Sequence, residues 1–105
     1  MSEITYISKE VAIIDGQLDA IDSKVVIAGS YTGNVNANEV VLEDGSKFEG
    51  EVDARIIVIE GELKGKVKSF QLTVAQTARV DGELLTISIE VASGAEIAGS
   101  IARMA

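Results

Sequence analysis

Apolar residues recur at every second position of this chain, in short runs that restart every 15 or 17 residues. Six such runs centre on a glycine: Ile14-x-Gly16-x-Leu18-x-Ala20, Tyr31-x-Gly33-x-Val35-x-Ala37, Phe48-x-Gly50-x-Val52-x-Ala54, Leu63-x-Gly65-x-Val67-x-Ser69, Val80-x-Gly82-x-Leu84-x-Thr86 and Ile97-x-Gly99-x-Ile101-x-Arg103. The shared order is apolar, Gly, aliphatic, small. Only the last copy departs from it, with Arg103 in the small position. A period of two means that alternate side chains share a face, so the apolar, Gly and aliphatic positions are read as inward. Glycine between two inward side chains marks a corner of the wall.

A second strand follows in each repeat, with inward pairs Val25/Ile27, Val40/Leu42, Ile57/Ile59, Leu72/Val74 and Ile89/Val91. Polar turns close the units, around Gly29, Asp44-Gly45, Gly61, Gln76-Thr77 and Ser93-Gly94, and are expected to vary by one residue. The short fourth repeat takes its deletion in the turn at Glu60-Gly61-Glu62. A period near 17 is too short for a strand–helix unit that returns to one sheet, and no segment shows a helical period. An antiparallel meander would not require one residue class to recur at this interval. A coil with one turn per repeat does require it, because each residue stacks on its counterpart about 4.8 Å away. The expected fold is therefore all-β: a single right-handed parallel β-helix of about six rungs, roughly 29 Å long. The 15- and 17-residue spacings break the strict register of left-handed hexapeptide helices, and parallel crossovers favour the right hand. A lead-in over 1–10, a β-helix over 11–103 and an end at 104–105 complete the expected organisation.

Composition narrows the function. There is no His, Cys, Trp or Pro, and only four residues are aromatic. Without His, the chemistry of two enzyme classes that share solenoid architecture is missing: the base of hexapeptide acyltransferases and the zinc ligands of β-helical carbonic anhydrases. Pectin-lyase-like enzymes place Asp or Arg clusters in long loops, and every loop here is short. Five scattered Thr do not make an ice-binding rank. The carboxylates Glu43-Asp44 beside Glu49 and Glu51 suit a divalent cation, but are read more simply as a solvated turn and face. No catalytic residue, metal or cofactor is expected. A net charge of −8 makes nucleic acid an unsuitable partner. No apolar run reaches the roughly 18 residues of a membrane span, so the default location is cytoplasmic.

The ends of the coil stand out next. Solenoids normally cover their end rungs with an atypical cap, since a bare rung presents apolar side chains and unpaired N–H and C=O groups. Little chain precedes Val11 or follows Ile101. A second copy is the simplest cover. This makes Val11, Ile13, Ile14 and Leu18 the candidate N-terminal contact, and Ile89, Val91, Ile97, Ile101 and Arg103 the candidate C-terminal one. Head-to-head alternating with tail-to-tail stacking gives a nonpolar filament, and head-to-tail stacking a polar one. A non-polymerising interaction module is the alternative. Val26, Val41 and Val58 lie between inward positions, so they stack on one outer face as a candidate lateral contact, continued by Thr73 and Glu90.

The repeating unit resembles the bactofilins, a family of bacterial cytoskeletal proteins. The resemblance rests on phrases such as Lys24-Val25-Val26-Ile27, Gly33-Asn34-Val35-Asn36-Ala37, Phe48-Glu49-Gly50-Glu51-Val52 and Gly94-Ala95-Glu96-Ile97-Ala98-Gly99, in order, from Val11 to Arg103. It implies a right-handed triangular β-helix that polymerises end to end, without nucleotide, into nonpolar filaments. It further implies a scaffold for cell-wall or polarity proteins, at the inner face of the cell membrane. The family's last rung often carries Phe two residues before its Gly, where this chain has Ile97. An N-terminal motif can bind membrane in the family. With essentially no tails here, contact of Ile4-Thr5-Tyr6-Ile7 with a membrane surface is the weaker expectation.

Overall fold

Each repeat pairs in parallel with the next, and the chain thereby winds into a solenoid. The computed structural model describes residues 4–7 and 12–103, which form seven strands and no helix. These are β1 (Ile4–Ile7), β2 (Ala12–Ile27), β3 (Ser30–Leu42), β4 (Lys47–Ile59), β5 (Glu62–Val74), β6 (Arg79–Val91) and β7 (Glu96–Arg103). They follow one another in chain order within a single sheet, every neighbouring pair parallel. The expected β-solenoid is therefore what forms, but with five full turns, β2 to β6, rather than six. The sixth repeat, β7, runs only through the first part of a turn, up to the partner of Thr86.

A rung has three sides. In β4 the first is Lys47–Glu49, the second runs from Glu51 to Ala54, and the third from Ile56 to Ile59. Gly50 makes the first corner and Arg55, which interrupts the ladder, the second. The two- or four-residue turn between strands makes the third. Inward side chains form columns down the interior. Tyr31, Phe48, Leu63 and Val80 make one; Val35, Val52, Val67 and Leu84 another; Ile27, Leu42, Ile59 and Val74 a third, all essentially solvent-free. The Tyr31 and Phe48 rings stack with centroids 5.2 Å apart. Ser69 and Thr86 continue the small column begun by Ala37 and Ala54. Their buried hydroxyls are satisfied: Ser69 donates to Thr86 Oγ1 at 3.3 Å, and Thr86 to the Ser88 carbonyl at 2.9 Å.

The glycine column is the tightest contact of the fold. Gly33, Gly50, Gly65, Gly82 and Gly99 all have positive φ, between 115° and 139°. A Cβ added at any of them would lie 1.9–2.0 Å from the carbonyl oxygen of the glycine one rung before. Only glycine satisfies both the dihedral and the approach.

Two expectations need correction. Ile14 does not face inward. A register shift between Ile13 and Gly16 lets Ile13 take the place stacked on Tyr31, and leaves Ile14 79% exposed. The turns differ by two residues rather than one: the links after β2 and β4 have two, those after β3, β5 and β6 four. The deletion does fall at Glu60-Gly61, and β2 offsets its short turn with a second register shift between Ala20 and Lys24. Part of the lead-in is a strand, since β1 adds one side of a turn over Lys24–Ile27 and buries Ile7 in the core.

Charge alternates between rungs. On the first two sides β4 presents Lys47, Glu49, Glu51 and Asp53, and these stack on Glu62, Lys64, Lys66 and Lys68 of β5. β6 reverses the sign again with Arg79, Asp81 and Glu83. Arg79 joins both neighbours, its Nη1 3.8 Å from Glu62 and its Nε 3.1 Å from Glu96. Each exposed pair contributes little, but a shift of one rung, β4 against β6, would set like charges together, and a shift of one residue would turn these charges toward the core.

Two measurements check these contacts. Gly50→Ala is expected to destabilise the fold by about 3 kcal/mol or more in urea denaturation, since backbone must move. Gly45→Ala, at a φ of 87° with nothing within 4 Å, is expected to cost only about 1–2 kcal/mol, the strain of its dihedral alone. Lys66→Glu, which makes a column of three carboxylates with Glu51 and Glu83, is expected to cost about 1 kcal/mol at low salt and much less near 1 M.

Candidate assembly surfaces

The two ends of the solenoid differ from its middle in the exposure of equivalent residues. In the column Ile27, Leu42, Ile59, Val74 and Val91, the first four are fully buried and Val91 is 47% exposed. In the column ending at Ile101, Leu84 is 1% exposed and Ile101 is 50%. Ile89 and Ile97 are partly buried and pack against the core. The candidate C-terminal contact is thus brought together: Ile97 and Ile101 sit on β7, one rung above Val80 and Leu84, while Ile89 and Val91 lie on the third side of β6. Arg103 is placed by its backbone, opposite Thr86.

At the other end Ile13 is half-buried against the core and Ile14 projects outward. The backbone of Leu18 stacks on Val35. Val11 lies outside the described residues. Sequence reasoning missed Ile7. The signal was present, because Thr5 and Ile7 repeat the alternation of Val25 and Ile27, on which they stack.

The outer surface is divided by chemistry. Its first two sides carry the alternating charges. A groove of about 520 Å³ runs across the rungs on the second side, between the column Gln17, Asn34, Glu51, Lys66, Glu83 and the column Asp19, Asn36, Asp53, Lys68, Leu85. Its acids and lysines face each other from rung to rung, so the groove neutralises much of its own charge. The third side is nearly free of charge at its centre. There the outward residues are Val26, Val41, Val58 and Thr73, all half-buried, with Ile56 and Gln71 beside them. Tyr6 extends the stripe over Val26 and is 58% exposed. Its hydroxyl donates to Glu43 Oε1 at 3.2 Å, and that bond with the carboxylate's charge raises the tyrosine above its usual pKa.

Among the described residues, no three acidic side chains meet in an arrangement that could hold a metal. Glu43 is engaged by Tyr6, while Glu49 and Glu51 stack on Lys64 and Lys66.

A protein-family model described as "Bactofilin: Polymer-forming cytoskeletal" matches residues 5–102. No curated protein and no solved structure matches the chain. The family match spans all five full turns and the glycine column, the same features that carry the sequence resemblance. The chain belongs to the bactofilin family of polymer-forming cytoskeletal proteins.

Proposed function

We propose that this protein is a structural subunit that stacks end to end into nonpolar, nucleotide-independent filaments and serves as a scaffold in the bacterial cytoplasm. It is not an enzyme on this reading, and its working surfaces are the ends of the solenoid. The observation that carries the proposal is the change within single columns. Val74 and Leu84 are buried because a rung covers them, while Val91 and Ile101, at the same positions, remain half exposed. A further rung would bury them as the preceding rungs are buried, with a gain of about 25 cal/mol per Å² of apolar surface. It would also pair the ladder groups along Ser88–Val91, which no strand among the described residues covers.

In the nonpolar arrangement, C-terminal ends meet each other through Ile89, Val91, Ile97, Ile101 and Arg103. The N-terminal ends meet through the rung that carries Val11, Ile13, Ile14 and Leu18. Each contact is isologous, and their alternation extends the filament without polarity. Cell-wall or polarity proteins would bind the sides of such a filament. Contact with the inner face of the membrane would fall to Ile4–Ile7, whose strand stacks at the N-terminal end.

Negative-stain electron microscopy at moderate salt tests the proposal. Filaments are expected, and monomers at every protein concentration would overturn it. Ile97→Arg and Ile101→Arg are each expected to abolish filaments while the far-ultraviolet circular dichroism stays strand-like. The axial repeat is expected near two subunits, roughly 57 Å by rung spacing. A repeat near half that value would show polar stacking instead.

A further inference from the structure

The third side of the solenoid is the one long surface whose composition the fold does not explain. On the first two sides, outward charges meet opposite charges one rung away. On the third, β4 and β5 turn Ile56, Val58, Gln71 and Thr73 to the outside and carry no charge at all. In a chain of net charge −8, this is where a second copy can approach without electrostatic cost.

We propose that this side is a lateral contact on which a second copy of the chain packs antiparallel, about a two-fold axis at the β4 rung. The charges at the two ends of the stripe choose the orientation. Lys24 and Glu39 form an ion pair at 3.1 Å near one end, and Glu90 stands at the other. Parallel copies in register set Glu90 against Glu90. Antiparallel copies centred on β4 set the β6 rung over the β2 rung, so that Glu90 of each copy lies diagonal to Lys24 of the other. Ile56 and Val58 then meet their own counterparts at the centre.

The size of the face defines when the contact forms. Five levels, β2 to β6, about 4.8 Å apart and each about four residues wide, give roughly 320 Å² per copy. The pair buries roughly 640 Å², below the range of about 1,200–2,000 Å² for stable specific complexes. Single subunits therefore pair weakly, whereas two filaments multiply the contact along their length. This step rests on the end-to-end polymer proposed above and adds to it the side by which filaments pair.

The chain has no cysteine, so single-cysteine variants report the geometry directly. Under mild oxidation Val58→Cys is expected to give disulfide-linked dimers, at least about tenfold more than Glu51→Cys on the charged second side. Val26→Cys alone is expected to stay monomeric on denaturing gels, and the double variant Val26→Cys, Glu90→Cys to crosslink. Val41→Lys is expected to convert paired filaments to single ones in micrographs without loss of filament length. Filaments with no Val58→Cys crosslink would overturn the lateral contact and leave the polymer standing. A Val58→Cys crosslink at high concentration without filaments would do the reverse. A crosslink in Val26→Cys alone would overturn the antiparallel arrangement. Flotation with phosphatidylglycerol vesicles that Val41→Glu abolishes would give the face to a membrane instead and overturn the proposal.

Discussion

The approach of one glycine to the next governs this structure. Five glycine corners hold positive φ, and each sits so close over the carbonyl of the rung before it that a methyl group has no room. That contact fixes where the wall bends and aligns each rung laterally on its neighbour. Once the corner is aligned, parallel pairing brings every other residue over its counterpart. The columns of like residues follow from this alignment: an aromatic or aliphatic before the corner, a branched aliphatic after it, then a small residue. The interior is narrow, so Val, Ile and Leu fill it and only Tyr31 and Phe48 bring rings inside.

Outside the core the same alignment becomes electrostatic. Stacked residues on an outer face are close neighbours, and the sign of their charge decides whether a register is favoured. The reversal from β4 to β5 to β6 makes the native stacking the one in which these charges agree. The charges also partition the surface, with two sides wetted and internally balanced and the third apolar at its centre. The grooves along its first two sides are open to solvent. Membership of a polymer-forming family fits a surface of this kind.

Much of this was legible in the sequence because a repeat states the same constraint several times. The glycine corners, the inward pairs from Val25/Ile27 to Ile89/Val91 and the outward valines each recur at intervals that only a coil of parallel strands requires. What was less legible lies where the repeat is irregular. Ile14 matched the apolar position by spacing from Gly16, yet one extra residue before that corner let Ile13 occupy the core and turned Ile14 outward. The strand at Ile4–Ile7 is a single side of a turn, too short for periodicity to declare, although it matches Val25 and Ile27 in alternation. The alternating charge was visible in principle: it appears when Lys47–Asp53 and Glu62–Lys68 are aligned by the same glycine spacing that revealed the rungs. The rung count fell from six to five because the last repeat ends its strand at Arg103, before a third side is made.

The central claim is that a filament continues the stack of rungs along its own axis, with the ends of each solenoid as the contacts. X-ray diffraction from oriented filaments measures this directly. Strands that run across the filament axis, stacked rung on rung through the subunit boundary, place a sharp reflection near 4.8 Å on the meridian. The account predicts that meridional reflection. The same spacing on the equator would mean that the solenoids lie across the filament and join by their sides, and would contradict it.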